Sequence, residues 1–255
     1  MTPLSVTIIT KNEASHIAEA LQSVSWADET IVVDAESSDD TVEIARRHAT
    51  RVIVRPWHGY GDQKNFAAGL ARHDWILSID ADERVTPELA ANIQRTIGWN
   101  PTSRGYKLSR VTFHLGRWIR STDWYPDYQL RLYDRRHARW NDRLVHESVT
   151  LDGAVGMLTG ELHHLAYRDL SHHLATIDRY TSLAARQMHT EGRHASVIDL
   201  LLHPPFAFLR NYVFRFGMRD GLPGLIVSLL NSYYVMLKFA KLWELQNTAR
   251  SPGER

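Results

Sequence analysis

The sequence contains no cysteine and has almost no net charge. The absence of cysteine excludes disulfide-stapled folds, thiolate zinc sites, iron–sulfur clusters and thiolate nucleophiles. Lys and Arg number 30 against 29 Asp and Glu, so the chain lacks the basic excess of a general nucleic-acid-binding protein. With 44% hydrophobic and 23% charged residues, the composition is that of a globular protein.

Several sequence motifs and targeting segments are also missing. No G-x-G-x-x-G or G-x-x-x-x-G-K-[ST] motif follows the first predicted strand, which argues against a dinucleotide-binding fold and a P-loop. Residues 1–11 lack the basic start of a secretory signal. The best candidate for a membrane span, residues 221–237, contains Pro223, Gly224, Ser228, Asn231 and Ser232. It is marginal beside the ~20 predominantly apolar residues that a spanning helix needs.

The balanced total hides a segregation of charge along the chain. Residues 1–100 carry 15 acidic and 9 basic side chains, whereas residues 101–150 carry 10 basic and 5 acidic ones. Residues 151–255 are mildly basic, with 11 basic and 9 acidic side chains. Because salt screens charges beyond roughly 8–10 Å, each segment presents its own local field.

The first hundred residues alternate strand and helix patterns. Strands are predicted at 4–10, 30–34, 51–55 and 75–80, and helices at 13–23, 40–48, 63–71 and from Pro87 onward. Asp40 with Glu43 predicts a capping box, and Thr86 before Pro87 predicts a capped helix start. The alternation predicts a Rossmann-like, mostly parallel sheet with ligands bound beyond the carboxyl ends of its strands.

The pattern changes after Gly98. Short aromatic-rich strands at 105–108, 129–133 and 144–150 predict a mixed or antiparallel extension of the sheet, and helical periodicity returns from residue 170. We therefore expect an α/β domain over 1–165, with halves 1–100 and 101–165, and a helical C-terminal appendage over 166–255.

The acidic motif Asp80-x-Asp82 ends a hydrophobic strand. Strand side chains alternate, so both carboxylates lie on one side, where they repel unless a cation lies between them. Mg²⁺ and Mn²⁺ take such carboxylates together with substrate phosphates. The alternative interpretation is that Asp82 or Glu83 only caps the following helix.

Four segments together resemble the family 2 glycosyltransferases of the GT-A fold. They are residues 6–13 (VTIITKNE), 31–41 (IVVDAESSDDT), 63–65 (QKN) and 79–83 (IDADE). They occur in the family's order over about eighty residues, which makes the match specific. The whole chain resembles the bacterial branch that adds β-glucose to the lipopolysaccharide inner core.

The resemblance implies a nucleotide-sugar site and a divalent-cation cofactor, Mn²⁺ or Mg²⁺. Asp34 would accept from uracil N3–H, Asp39 would close the loop, Asp80 would lie near the ribose and metal, and Asp82 would ligate the metal. The remaining residues implied to bind the nucleotide or its phosphates are Thr10, Asn12, Glu13, Gln63, Lys64 and Asn65.

An inverting transferase needs a general base opposite the leaving group and no enzyme nucleophile. Asp127 resembles the family's acceptor-side carboxylate and is preferred, with Glu147 as the alternative. Each could instead be a surface carboxylate paired with a nearby arginine. His146 would orient Glu147 or act as a ligand in contact with the acceptor, and the alternative is a hydrogen-bonded histidine of the sheet.

Residues 101–150 also supply the predicted acceptor contacts. Arg131 begins a run of arginines that matches phosphate and carboxylate oxygens, unless the run is a solvated face. Trp124 is a candidate platform for stacking a sugar.

Seven histidines lie between residues 163 and 203 without the spacing of a zinc site. We interpret most of them as solvated helix residues. His163 or His164, at a strand end, is the candidate for a further metal or phosphate contact, and the predicted metal set is Asp80, Asp82 and His163.

The C-terminal region predicts a membrane-surface helix. Apolar residues from Leu222 to Leu237 recur at helical spacing, and residues 203–243 contain five basic side chains against one acidic. Such a segment suits the surface of an anionic membrane. The alternative is a helix that packs on its own domain or on a second copy of the chain, so a homo-oligomer stays open.

Together these features predict an inverting, metal-dependent transferase of a UDP-sugar, with glucose as the expected sugar. The expected acceptor is a lipopolysaccharide core or another anionic lipid-linked glycan at the cytoplasmic face of the membrane, where the protein would be peripheral. Alternatives are transfer to polyprenyl phosphate, or a non-catalytic, membrane-docked sugar-nucleotide binding module.

Overall fold

The computed structural model describes residues 2–98, 101–141 and 147–248. The chain divides into two compact units. The first unit combines Met1–Val111 with Asp127–Leu165, and the second combines Thr112–Pro126 with Ala166–Arg255. The segment Thr112–Pro126 therefore groups with the C-terminal helices.

The first unit begins with alternating strands and helices. These are β1 (Leu4–Thr10), α1 (Ile17–Ser23), β2 (Glu29–Asp34), α2 (Thr41–His48), β3 (Arg51–Val54), α3 (Tyr60–Leu70), β4 (Trp75–Asp80), β5 (Glu83–Val85) and α4 (Pro87–Gly98). Later strands of this unit are β6 (Gly105–His114), whose last three residues belong to the second unit, β8 (Asp127–Asp134), β9 (Ala138–Trp140), β10 (Val149–Leu151) and β11 (Val155–His164). The short strand β7 (Arg117–Ile119) lies in the second unit. The predicted α/β class is confirmed.

The strands of the described chain form one large mixed sheet and a small hairpin. The large sheet has the order β3-β2-β1-β4-β8-β6-β11-β5, with β7 paired to the end of β6. β1, β2, β3 and β4 are parallel, whereas β8 pairs antiparallel with β4 and with β6. β9 and β10 form the separate antiparallel pair. The carboxyl ends of β1, β2 and β4 consequently lie side by side.

The central strands are buried on both faces, and they bury serine, threonine and acidic side chains as well as apolar ones. All seven residues of β1 and all six of β2 are buried. On one face Val6, Ile8 and Val32 pack with α1 and α4, and on the other face Ile9 and Ile31 pack with α3. This layering fixes the strand ends that carry the polar residues.

Two predictions about helix starts have different outcomes. The hydroxyl of Thr86 accepts a hydrogen bond from Leu89 N at 3.3 Å, so the predicted cap of α4 is confirmed. The capping box of α2 is wrong, because the Asp40 side chain makes no cap hydrogen bond. Asp39 does this instead, accepting from Thr41 N at 3.1 Å, since it lies where its carboxylate reaches the first helical turn. Of the strand predicted at 144–150, residues 144–146 lie outside the described residues, and residues 149–150 belong to β10.

The second unit is helical. It contains α5 (Leu170–Thr190), α6 (Val197–Leu209) and α7 (Gly221–Thr248), with a π-helical turn at Arg210–Phe214 and 3₁₀ turns at Thr122–Trp124 and Gly217–Asp220. Ala185 and Met188 of α5 pack with Phe239 and Leu242 of α7. Ser196 and Asp199 form a capping box at the start of α6.

The structure of this unit corrects the interpretation of His173. His173 was expected to be a solvated helix residue, but it is buried and its Nδ1 lies 3.0 Å from His114 Nε2. Tyr167 stacks on the His173 ring at 4.1 Å. The helical pattern marks the position of His173 but does not show which long-range neighbours cover it.

Candidate active site

The loops after β1 and β2 are joined by side-chain hydrogen bonds. Asn12 N donates to the Ser37 hydroxyl at 2.8 Å, and Asn12 Oδ1 accepts from Ser38 N at 2.8 Å. Glu13 N donates to the Thr41 hydroxyl at 2.8 Å. Asn12 and Glu36 both have positive φ, a conformation that these contacts stabilise.

Asp34 and Asp39 accept hydrogen bonds from the backbone of these two loops. The fully buried Asp34 accepts from Ser37 N at 2.8 Å, and Asp39 accepts from Ala14 N at 3.2 Å. Desolvation would raise the pKa of Asp39, but its hydrogen bonds from Thr41 and Ala14 outweigh this and lower it. Both carboxylates therefore organise the edge where the nucleotide is expected. Their direct contacts with a nucleotide remain predictions.

Asp80, at the end of β4, lies between two cations. Lys64 Nζ of α3 is 3.1 Å from Asp80 Oδ1, and Arg131 Nη2 of β8 is 2.8 Å from Asp80 Oδ2. Burial alone would raise the pKa of Asp80, yet the charges of Arg131 and Lys64 hold it well below its usual range. Asp80 is consequently an ionised carboxylate that positions two basic side chains.

Glu83 is the buried centre of the same network. Its side chain is fully buried and accepts from Arg110 Nη1 at 3.1 Å and Arg131 Nη2 at 3.0 Å. It also accepts from Asp80 N at 2.9 Å. The interpretation of Glu83 as a helix cap is therefore wrong, because three donors from two strands and the D-x-D segment converge on it.

Asp127 is attached to this centre through Arg110. Arg110 Nη2 lies 2.7 Å and Arg110 Nε 2.8 Å from Asp127 Oδ2, and Gln129 donates to Oδ1 at 2.6 Å. Burial would lower the pKa of Arg110, but the charges of Glu83 and Asp127 raise it. Arg110 was not among the predicted site residues because an isolated arginine in a strand carries no motif.

Glu147 is attached at the other end, through Lys64. Lys64 Nζ lies 3.0 Å from Glu147 Oε1 and 4.4 Å from the centre of the Trp140 ring. Among the described residues, the contacts thus run Glu147–Lys64–Asp80–Arg131–Glu83–Arg110–Asp127. We call these seven residues the charge network. It brings together both candidate bases and the first carboxylate of the D-x-D motif.

Asp82, the second carboxylate of the motif, pairs with an imidazole. His164 Nε2 of β11 lies 3.3 Å from Asp82 Oδ2. Burial would raise the pKa of Asp82, but the charge and hydrogen bond of His164 lower it. The structure thus places His164 at Asp82, whereas the predicted ligand was His163, the neighbouring residue of β11.

This pair fits a divalent cation only as part of a larger shell. Within the described residues, no three carboxylate or imidazole side chains converge to hold a metal. An ionised carboxylate and an imidazole are nevertheless ligands that Mn²⁺ accepts, with its other positions filled by substrate phosphates and water. Asp82 and His164 are therefore the residues that could hold the cation, and Asp80 is occupied by Lys64 and Arg131.

Neighbouring predicted residues have different surroundings. Asn65 donates to Trp140 O and accepts from Trp140 N, both at 2.9 Å, so its amide holds β9. Gln63 is fully buried, and neither polar atom of its side chain has a partner among the described residues. Thr10 is also buried, with its hydroxyl unpartnered in the same part of the chain.

The predicted acceptor residues belong to different parts of the chain's two-unit division. Arg131 is buried in the charge network, so it is not part of a solvated arginine face. Its Nε and Nη1 groups have no partner among the described residues. Trp124 lies in the second unit and stacks on Tyr167 at 5.5 Å. His146 lies outside the described residues.

A mostly parallel sheet with a D-x-D motif after its fourth strand is the architecture of GT-A glycosyltransferases. The family profile described as Glycosyl transferase family 2 matches residues 5–147. An uncharacterised glycosyltransferase of Rickettsia typhi is 32% identical, covering 98% of this chain and 90% of that protein. The lipopolysaccharide core biosynthesis glycosyltransferase LpsC of Rhizobium meliloti is 30% identical, covering 95% and 92%. The chain therefore belongs to glycosyl transferase family 2, as its motifs predicted.

Two solved structures are also similar to the chain. TarS residues 1–349 of S. aureus has a TM-score of 0.48 at 12% identity, covering 98% of this chain and 92% of that one. Glucosyl-3-phosphoglycerate synthase of Mycobacterium tuberculosis, crystallised with Mn²⁺, UDP and glucosyl-3-phosphoglycerate, has a TM-score of 0.38 at 23% identity. It covers 43% of this chain and 44% of that one.

Proposed function

We propose that this enzyme transfers glucose from UDP-glucose, with inversion, to a lipopolysaccharide-core or other anionic lipid-linked glycan. The reaction would take place at the cytoplasmic face of the membrane, with the protein bound peripherally. The observation that carries the proposal is the charge network, which connects the D-x-D segment with both candidate bases in one unit. The lipopolysaccharide-core activity named for LpsC supports the choice of acceptor.

On the donor side, Asp82 and His164 would hold a divalent cation, which neutralises the departing diphosphate. Lys64 lies beside Asp80 and would help the cation to neutralise the negative charge of the diphosphate. The Nε and Nη1 groups of Arg131, which find no partner in the part of the chain that the structure describes, are the donors that we assign to an anionic substrate. Thr10, Asn12, Glu13, Asp34 and Asp39 would form the edge that binds the nucleoside.

On the acceptor side, Asp127 would accept the proton of the attacking hydroxyl. Both of its oxygens already accept hydrogen bonds, but an ionised carboxylate has about four acceptor positions, so a hydroxyl can still bind. Arg110 would fix the orientation of the Asp127 carboxylate. A surface depression lined in part by Arg55, Arg135 and Arg139 offers a place for an anionic group of the acceptor.

The test compares Asp127→Asn and Glu147→Gln in UDP titrations and in turnover of UDP-glucose with a defined core acceptor. We expect Asp127→Asn to lose at least 100-fold in kcat while UDP affinity stays within about twofold, because a general base contributes roughly 10²–10⁴ to the rate. If only Glu147→Gln has this effect, Glu147 is the base. If wild-type protein binds UDP with Mn²⁺ but transfers no sugar to any acceptor, the protein is a binding module.

A further inference from the structure

The second unit has an unusual distribution of apolar side chains, because α6 turns its large apolar residues outward. Six of them are 44–66% exposed: Val197, Ile198, Leu201, Leu202, Phe206 and Leu209. We call these six residues the α6 face. Soluble monomers rarely expose a contiguous apolar patch of this kind without a binding role.

The six residues lie on one side of the helix. At 100° per residue their spacing covers roughly half of the helix circumference. Pro204 and Ala207, which lie outside this arc, are buried within the unit. Phe214, Phe216 and Leu222, exposed by 63%, 51% and 67%, continue the apolar surface along the sequence.

The long apolar helix α7 is attached to the other helices of this unit by polar contacts. By length and composition alone, the stretch Gly217–Asn247 could cross a membrane. However, Ser232 donates to Pro204 O at 2.8 Å, and Lys241 Nζ lies 2.7 Å from Asp178 Oδ1. These contacts attach α7 to α6 and α5.

A spanning position of α7 would also bury a charged cluster. Asn231, roughly 15 Å along α7, donates to Asp123 at 3.2 Å. Asp123 pairs with Arg210 and Arg215, which are 44% and 50% exposed. Spanning would place these charges near the middle of the hydrocarbon, where arginine and aspartate are costly. An interfacial position avoids this cost.

The charges beside the α6 face are mainly basic. Arg210, Arg215 and Arg219 are exposed, whereas the nearby Asp220 is buried. Basic side chains next to exposed apolar ones match an anionic lipid surface, which attracts the arginines and accepts the apolar groups. Asp123 pairs with Arg210 and Arg215, but the three arginines outnumber this carboxylate. A neutral apolar protein partner would leave the excess positive charge unbalanced.

We propose that the α6 face, continued by Phe214, Phe216 and Leu222, enters the surface of an anionic bilayer, while α7 beyond its first turn stays attached to α5 and α6. This assigns the membrane contact chiefly to α6, and it deepens the membrane placement in the proposed function. The sequence pattern had favoured the stripe from Leu222 to Leu237 on α7. In the structure Leu225, Ile226 and Leu230 of that stripe are partly buried, whereas Leu222, Leu229 and Tyr233 are exposed.

The absence of cysteine makes a site-specific test available. Leu202→Cys, labelled with the environment-sensitive fluorophore NBD, is mixed with phosphatidylglycerol-containing vesicles and with pure phosphatidylcholine vesicles at low salt. The matched control is Met157→Cys in the first unit, since Met157 is also exposed, at 58%. We expect a blue shift and at least a twofold intensity rise for residue 202 with anionic vesicles, and no change for residue 157. No response at residue 202 overturns the proposal.

Two further measurements exclude other occupants of the α6 face. Leu201→Glu/Leu202→Glu should lower the fraction of protein bound to anionic vesicles roughly tenfold, because it puts charge into the apolar contact. Two results together would assign the α6 face to a second copy of the chain. The double variant would bind vesicles as well as the wild type does, and sedimentation velocity would show a dimer for the wild type but a monomer for the double variant. Retention of the full chain in membranes after carbonate extraction would overturn the interfacial position in favour of a span.

The vesicle result is independent of the transferase reaction. UDP titration of Leu201→Glu/Leu202→Glu without lipid should match the wild type, since the substitutions lie in the second unit and on exposed residues. Loss of vesicle binding with intact UDP binding supports the α6 assignment. Intact vesicle binding without any sugar transfer would refute the proposed function and leave the membrane surface standing.

Discussion

At the scale of single residues, Glu83 has the most consequential environment. It is a fully buried carboxylate that accepts from Arg110, Arg131 and the backbone of Asp80. A buried ion pair is weak evidence of net stability, but removing one partner is costly because it leaves uncompensated charge. Glu83 therefore sets the positions of the D-x-D segment and of Asp127 at the same time.

Glu83→Gln keeps the shape of the side chain and removes its charge. We expect the free energy of unfolding to fall by about 3 kcal/mol, because the guanidinium groups of Arg110 and Arg131 lose a buried counter-ion. Urea denaturation measures the change. Glu43→Gln is the control, since Glu43 pairs with Arg47 on an exposed helix face. Equal stability of wild type and Glu83→Gln would contradict the role of Glu83.

The assignment of His164 to the cation makes a second prediction at the residue scale. His164→Ala should weaken Mn²⁺-dependent UDP binding at least tenfold, since His164 contacts Asp82 and a ligand-shell residue is worth about 10–100-fold in metal affinity. His163→Ala, one residue away on β11, should change it less than twofold. Isothermal titration of UDP at fixed Mn²⁺ gives both values, and the reverse order would restore His163 as the ligand.

At the scale of elements, the start of α5 is joined to the end of β6 by a pair of buried histidines. His173 Nδ1 lies 3.0 Å from His114 Nε2, and the rings of Tyr167 and Trp124 pack around them. Desolvation, with the nearby His114 and His172, lowers the pKa of His173 to about 4 from 6.5. Desolvation also lowers the pKa of His114.

This pair predicts acid sensitivity of the second unit. Unfolded histidine binds a proton below about pH 6.5, whereas folded His173 does so only near pH 4, so stability falls as the pH drops through this window. We expect a loss of about 2 to 3 kcal/mol between pH 7 and pH 4. Urea denaturation across this range should show a smaller slope for His173→Gln and an unchanged slope for His189→Gln, an exposed position of α5. An unchanged slope in His173→Gln would contradict the assignment.

Elements with local signals were predictable from the sequence. β1, β2 and β4 are short segments rich in Ile, Val and Leu and followed by polar residues, and α4 begins at the predicted Thr86-Pro87. The insertion of β8 between β4 and β6, and the pairing of β11 with β5, depend on contacts between distant residues. No local pattern encodes such a strand order.

The same limit applies to the site. The motifs located Asp80, Asp82, Lys64 and Asp127, because each lies in a recognisable segment. Arg110 and Glu83 were not assigned their roles, since their importance comes from three strands meeting rather than from spacing along the chain. The exposed face of α6 was not predicted for a related reason. The sequence shows where apolar residues recur along a helix, but the packing of α5 and α7 decides which of them are buried.

At the scale of the whole molecule, the near-zero charge results from segregation. The acidic first hundred residues include the carboxylates of the strand ends, and the basic segment 101–150 supplies Arg110 and Arg131, which neutralise Asp80, Glu83 and Asp127. The acidic and basic side chains of the charge network therefore compensate each other within the first unit. Arg210, Arg215 and Arg219 of the second unit are exposed beside apolar side chains.

The anomeric configuration of the product tests the central claim most directly. The protein is incubated with UDP-α-glucose, Mn²⁺ and a defined lipopolysaccharide-core acceptor, and the new linkage is identified by NMR. A single displacement assisted by Asp127 predicts a β-linked glucose that is absent from the Asp127→Asn reaction. An α-linked product, or a β-linked product formed at the wild-type rate by Asp127→Asn, would contradict the account.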